Sequence, residues 1–205
     1  HTRTRRQRQM CIRDSAGTAQ ICENLNVDIS NFNQLYDELK KKEIDIVIVG
    51  PEVPLVEGIK DFLEEKSIKV FGPSKKASQL EGSKLFLKNF CSEFKIPSAR
   101  FQEVKNLSEA SDCIDKFGLP IVVKSDGLAA GKGVTICNKK EEALNDVKAI
   151  FSGKFKSSKK VILEEFLKGE EASYFVITDG EDFLPIGTAQ AVSYTHLRAH
   201  ETWSY

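Results

Sequence analysis

The residues best suited to chemistry lie in 119–134, LPIVVKSDGLAAGKGV. Lys124 closes a β-branched run, Ile121-Val122-Val123, so its ammonium emerges where a buried strand gives out. Asp126-Gly127-Leu128-Ala129-Ala130-Gly131-Lys132-Gly133 follows, with three glycines and two alanines. A loop so poor in side chains lets backbone N–H groups approach a ligand and point at phosphate oxygens. It is not a P-loop: three residues, where four are required, separate Gly127 from Gly131-Lys132, and Gly133 stands in place of Ser or Thr. Nor has it the G-x-G-x-x-G spacing and following helix of a dinucleotide fingerprint, because Val134-Thr135-Ile136-Cys137 reads as a second strand. A glycine loop between antiparallel strands is either a flap over a nucleotide or an ordinary hairpin, and the loop alone leaves both open.

Other chemistry-bearing residues are single charges near element ends. Lys88 lies within a helical pattern, where a solvated lysine is the default reading. Glu164 and Glu165 fall in a strand over 161–167, followed by Lys168-Gly169-Glu170-Glu171, which turns the chain. Gly50-Pro51-Glu52 follows an apolar strand, and in doubly wound sheets ligands sit beyond the carboxyl ends of strands. A rigid turn with a solvated glutamate is the alternative there.

The elements that must hold these groups are legible from periodicity. A short strand is expected over 25–29, then a helix capped by Ser30 or Asn31 with Phe32, Leu35, Tyr36 and Leu39 on one face. A buried strand over 44–49, a helix over 55–66 and a strand over 68–71 describe an α/β unit. A helix carrying Leu87, Phe90, Cys91 and Phe94, a strand over 99–104 and a helix over 108–117 come next. Beyond the glycine loop a helix is expected over 140–151, and a hairpin of strands over 172–178 and 183–189 turns at Asp179-Gly180.

Composition narrows the class. Lys plus Arg and Asp plus Glu both total 30 in 205 residues, yet the distribution is uneven. His1, His196, His200, Met10, Trp203 and six of the seven arginines lie in 1–15 and 191–205, where no lysine occurs. Between them stand 23 lysines and Arg100 against 28 acids, a net charge of −4. The two ends look like translated sequencing-adapter read-through, and both are expected to be foreign and disordered. The first has no apolar stretch of the kind a secretory signal needs, and its short basic run has no interleaved aromatics, so nucleic acid is not expected as a partner. The five cysteines are scattered without a C-x-x-C pair, as in reduced cytosolic proteins. No apolar run approaches the roughly 18 residues of a membrane helix, so no membrane partner is expected.

Taken in order, a helix lysine (Lys88), a strand lysine (Lys124) before a glycine flap, E-x-x-L (164–167) and G-x-E (169–171) resemble the ATP-grasp nucleotide site. With GPEVPL (50–55), EGSK (81–84) and VVKSDGLAAGKGV (122–134), 16–190 is similar to the glycinamide ribonucleotide synthetase (phosphoribosylamine–glycine ligase) family. The fold implied is α/β: a partial doubly wound N-terminal domain (16–73), then an incomplete α+β ATP-grasp domain (74–190). The latter comprises a linker helix (74–96) and an ATP-binding subdomain (97–190). The resemblance implies ATP-dependent ligation of glycine to 5-phosphoribosylamine through glycyl phosphate, with Mg²⁺ or Mn²⁺, in a cytoplasmic monomer. Lys88 and Lys124 would reach the α- and β-phosphates, and Asp126, Gly127, Ala130, Gly131, Lys132 and Gly133 would close over the triphosphate. Backbone groups of Glu164, Phe166 and Leu167, beside Glu165, would read adenine, and Glu171 would accept the ribose hydroxyls. Gly50, Pro51 and Glu52 would face phosphoribosylamine. The family's phosphoribosyl loop and metal carboxylates have no counterpart here, so the chain is expected to be truncated, to bind nucleotide weakly at most and not to ligate. The alternatives are another ATP-grasp ligase or carboxylase, against which the loop at 50–55 speaks, and a non-catalytic nucleotide-binding module.

Overall fold

The computed structural model describes residues 9–10, 22–128, 133–155 and 159–190. Two compact units meet in sequence between Glu165 and Phe166.

The first unit opens with β1 (Gln9–Met10) paired in parallel to β2 (Glu23–Asn24). The strand expected over 25–29 does not form. Asp28 instead turns the chain, its carboxylate accepting from Ser30 N–H (2.9 Å) and its carbonyl from Asn31 N–H (3.0 Å). Helix α1 (Phe32–Lys41) follows, with Asn31 as the cap: its side-chain oxygen accepts from Gln34 N–H at 3.1 Å. Strand β3 (Ile46–Ile48) runs parallel to β4 (Lys69–Phe71). Between them the helix expected over 55–66 starts earlier and is broken. Helix α2 (Glu52–Glu57) carries Pro54 in its first turn, where the missing N–H costs no hydrogen bond, and α3 is Ile59–Glu64. Gly58, with φ +103°, ends one helix and begins the next, a conformation that favours glycine. Leu35, Leu39, Leu55, Ile59, Leu63, Ile68 and Val70 form the core of this region.

Helices α4 (Gln79–Gly82) and α5 (Lys84–Glu93) lead to β5 (Phe101–Val104), α6 (Leu107–Phe117), β6 (Ile121–Ser125), β7 (Val134–Cys137), α7 (Lys140–Phe151) and β8 (Val161–Glu165). Gly82 lies close against Val56, whose Cγ2 would stand 3.0 Å from an added Cβ. The four strands form an antiparallel sheet in the order β5-β8-β6-β7. Side chains alternate across a strand, so this register sorts the sheet into two faces. Val104, Ile121, Val123, Cys137, Val161 and Leu163 share the face that packs with Ala110, Cys113 and Ile114 of α6 and Ala143, Val147 and Ile150 of α7. Each large aliphatic buried there contributes about 1.5–3 kcal/mol. Phe101, Val122, Lys124, Ile162 and Glu164 share the opposite face, with Phe101 and Val122 both opposite Glu164 in register. The apolar core thus supports a sheet whose other face carries charge.

The second unit is described by itself. It is an antiparallel ribbon of β9 (Ala172–Thr178) and β10 (Phe183–Gln190). Asp179 builds its turn, accepting from the N–H groups of Glu181 (3.0 Å) and Asp182 (2.8 Å), while Gly180 adopts φ +103°. The register shifts between Pro185 and Gly187. Strand β8 stops at Glu165, two residues short of the expected bound. Among the described residues no helix is long and apolar enough to cross a membrane.

Candidate functional site

Lys124 is the penultimate residue of β6 and stands opposite Ile162, one diagonal step from Glu164 on the same face. Long side chains bridge that diagonal. Lys124 Nζ accordingly donates to Glu164 Oε2 at 2.9 Å. The second cation comes from α5. Lys88 contradicts the solvated reading: it is 8% exposed. Its Nζ lies 3.0 Å from the same Glu164 oxygen and also donates to Ser98 Oγ (2.7 Å) and the Ala99 carbonyl (3.2 Å). Phe101, Glu164's neighbour on β5, presents its ring 5.9 Å below this ammonium. Two ammoniums therefore converge on one carboxylate oxygen, largely out of solvent.

Glu164 is only half satisfied. It is 4% exposed, and among the described residues its buried Oε1 has no hydrogen-bond partner. Roughly nine in ten buried polar groups are paired, so an orphan acceptor beside two cations marks an unfinished arrangement. The cluster of Lys88, Lys124 and Glu164 has an excess of one positive charge in a desolvated place. The excess charge favours an anion with several oxygens, and two fixed ammoniums suit a phosphate chain, whereas Glu164 Oε1 calls for a donor, which a phosphate oxygen is not.

A second set of contacts joins α5 to the end of β6. Ser83 caps α5, its Oγ accepting from Phe86 N–H at 3.1 Å. Asp126 Oδ1 accepts from Ser83 Oγ (3.1 Å) and Leu85 N–H (3.2 Å), and Lys84 Nζ donates to the Gly127 carbonyl at 2.8 Å. Burial pushes the Lys84 ammonium below its ordinary value; Asp126 opposes that shift and Lys124 adds to it.

The sequence-derived candidates divide accordingly. Lys88, Lys124 and Glu164 come together. Asp126 and Gly127 sit beside them, engaged with α5, and Gly133 accepts at its carbonyl from Ser125 N–H (2.8 Å). Glu165 turns to the other face, where Arg100 donates to it through its backbone N–H (2.8 Å) and Nε (2.5 Å). The backbone bond first, then the guanidinium, hold the Glu165 carboxyl below its ordinary value. Ala130, Gly131 and Lys132 lie outside the described residues. Phe166, Leu167 and Glu171 belong to the second unit, between β8 and β9, and their adenine and ribose roles rest on sequence. Gly50, Pro51 and Glu52 are exposed between β3 and the first turn of α2, beyond the carboxyl end of β3 as expected. Sequence reasoning noticed 81–84 only as a motif and missed that Ser83 and Lys84 bind the residues after β6. The available signal was a serine in N-cap position, with Lys84 one turn before Lys88. Among the described residues no group of three or more His, Cys, Asp or Glu side chains could hold a metal ion.

Two family models divide the chain. The phosphoribosylglycinamide synthetase N domain matches residues 2–81, and the ATP-grasp (A) domain of the same synthetase matches 82–201. Their junction falls at Gly82, eight residues after the boundary expected from sequence. Phosphoribosylamine–glycine ligase of Brucella melitensis is 45% identical over 181 residues, covering 88% of this chain and 42% of that protein. A crystal structure of phosphoribosylamine–glycine ligase from Thermotoga maritima superposes with TM-score 0.66 at 32% identity, covering 83% of this chain and 40% of that one. The biotin carboxylase domain of Hydrogenobacter thermophilus 2-oxoglutarate carboxylase, at 19% identity and TM-score 0.70 over 84% of this chain and 41% of that one, shares the fold. The chain thus spans about two fifths of the length of the relatives it matches.

Proposed function

This chain belongs to the phosphoribosylglycinamide synthetase family, and from that premise we propose that Lys88 and Lys124 bind the phosphates of ATP for a ligase that joins glycine to 5-phosphoribosylamine. The products would be glycinamide ribonucleotide, ADP and phosphate, a step of purine biosynthesis in the cytoplasm. The observation that carries the reading is the shared Glu164 oxygen, with the buried Lys88 and the partly buried Lys124 ammoniums both on it and one positive charge in excess.

ATP fits this donor set. Bound ATP supplies the phosphoryl group that turns a carboxylate into an acylating agent. This chain's residues bind and orient it. Lys88, held by Ser98 and Ala99, is a fixed cation, and Lys124, tied among the described residues to Glu164, is the freer of the two. Moving a lysine from Glu164 to a phosphate exchanges one charge-assisted hydrogen bond for another, so little is lost on binding. Phe101 and Ile162 on the same face keep water away, which strengthens both contacts. Gly50, Pro51 and Glu52 are proposed to face phosphoribosylamine. The described carboxylates do not fit Mg²⁺ or Mn²⁺, and no step is assigned to a metal.

The test is ATP binding by the chain and by Lys124→Ala, read by calorimetry or by NMR titration. Loss of one charged contact of about 1.5–3 kcal/mol raises Kd by about tenfold or more. Unchanged nucleotide affinity in that variant refutes the reading.

A further inference from the structure

We infer that Asp126 is a positioning residue: its carboxylate fixes the first turn of α5 against the end of β6 and so sets where the Lys88 ammonium meets Lys124 and Glu164. For its ligand, the inference rests on the nucleotide reading above. Asp126 immediately follows β6 and is 7% exposed. Both of its carboxylate oxygens accept from Ser83 Oγ, each at 3.1 Å, and Oδ1 also accepts from Leu85 N–H at 3.2 Å. Its own N–H donates to the Lys160 carbonyl at 3.1 Å, which anchors it to the residue before β8. Lys84 Nζ on the Gly127 carbonyl is a second tie between the same two segments.

The chemistry of these contacts rules out a hydrogen bond between Asp126 and a phosphate oxygen. An ionised carboxylate only accepts hydrogen bonds, and so does a phosphate oxygen, so the two have no proton to share. Among the described residues, the donors to the Asp126 carboxylate come instead from the start of α5. A helix leaves its first four N–H groups without internal partners. Ser83 satisfies Phe86 from within the chain's own cap, and Asp126 satisfies Leu85 from outside it. A negative charge at that end also suits the helix dipole. Lys88 lies three residues beyond Leu85, about 4.5 Å along the axis at ~1.5 Å per residue. Its 3.0 Å contact with Glu164 therefore depends on where the first turn is pinned. Asp126 holds that turn to the same strand that bears Lys124, so the two ammoniums keep one spacing.

A double-variant cycle tests this on the whole 205-residue chain, with ATP affinity measured for D126A, K88A and the pair together. Because Asp126 acts through Lys88, each single change raises Kd about tenfold, and the pair is within about twofold of K88A alone. D126N keeps an acceptor for Leu85 N–H and recovers affinity to within about threefold of the parent chain. An additive pair, about a hundredfold weaker than the parent, overturns the inference, as does unaltered binding by D126A. D126N as weak as D126A overturns it too. Should circular dichroism show D126A unfolded, S83A takes its place in the cycle, with the same non-additivity expected and additivity again overturning the inference. If K88A alone binds ATP as tightly as the parent, the nucleotide reading fails first and the inference falls with it.

Discussion

Replacing Glu164 by glutamine keeps the shape of the side chain and removes the charge that two lysines share. Laid end to end, the 3.0 and 2.9 Å contacts bound the separation of the ammoniums at about 6 Å, where two unit charges repel by ~3 kcal/mol at an effective dielectric constant of ~20. Side-chain exposures of 10% for Lys88 and 24% for Lys124 leave that repulsion only partly screened. Each charge-assisted hydrogen bond lost contributes about 1.5–3 kcal/mol, of which the glutamine oxygen restores part. The net expected loss is about 3–5 kcal/mol, the range for breaking a buried ion pair from one side. For a chain of this size that lowers Tm by roughly 10 °C. Thermal unfolding followed by circular dichroism, with and without inorganic tripolyphosphate, reads both halves of the reasoning. Without Glu164 no described carboxylate pairs with the two lysines, so the ligand-induced rise in Tm is larger in Glu164→Gln than in the parent. A Tm within about 2 °C of the parent, or a tripolyphosphate shift no larger than the parent's, refutes the shared-counterion reading.

Three further outcomes follow from the packing. Leu63 is fully buried in the core around α3, and Leu63→Ala costs about 2–5 kcal/mol, seen as a lower urea midpoint at unchanged slope; a change below about 1 kcal/mol would contradict that burial. Gly58→Ala places a Cβ at φ +103°, 3.0 Å from the movable Lys75 Cδ, so backbone strain dominates and costs about 1–2 kcal/mol; equal stability in urea would refute the broken-helix geometry. Burial pushes the Cys113 thiol up to about 11, with Lys116 opposing. The folded chain therefore holds this proton more tightly than the unfolded one, which gives a stabilisation present below pH ~9 and lost as pH rises from about 9 to about 11. In the same way Cys113 reacts with a thiol reagent at pH 8.5 far more slowly than the half-buried Cys22, and equal rates would contradict the assignment.

The central strand of the sheet was legible as a β-branched run, Ile121-Val122-Val123, closed by Lys124; in the structure Ile121, Val123 and Ser125 are buried while Val122 and Lys124 are partly exposed. The face taken by Glu164 was not legible in the same way. Val161, Ile162, Leu163 and Glu164 are all buried, so β8 has no alternation from which to read a side, and pairing with β6 decides it. The burial of Lys88 was not legible for a related reason. Its burial is set by Ser98, Ala99 and Glu164, ten or more residues away in sequence, and the helix shows only that Lys88 shares a stripe with Lys84 and Cys91. The early start of α2 turned on tolerance of Pro54 in a first turn, and its early end on one glycine conformation. These are local choices that apolar spacing does not report.

The burial of Lys88 also explains why the site needs so much support. Two ammoniums held out of water repel each other and each forfeits hydration, a cost that falls on the folded chain before any ligand arrives. Glu164 offsets part of that cost with one oxygen, while Ser98 and Ala99 hold Lys88 through neutral acceptors. The second Glu164 oxygen has no partner among the described residues and offsets none of that cost. A polyphosphate therefore meets cations already desolvated and already oriented, and the reorganisation that weakens most charged contacts on binding has been met during folding. The same logic makes stability and affinity trade against each other at Glu164: removing it weakens the fold and frees the lysines together.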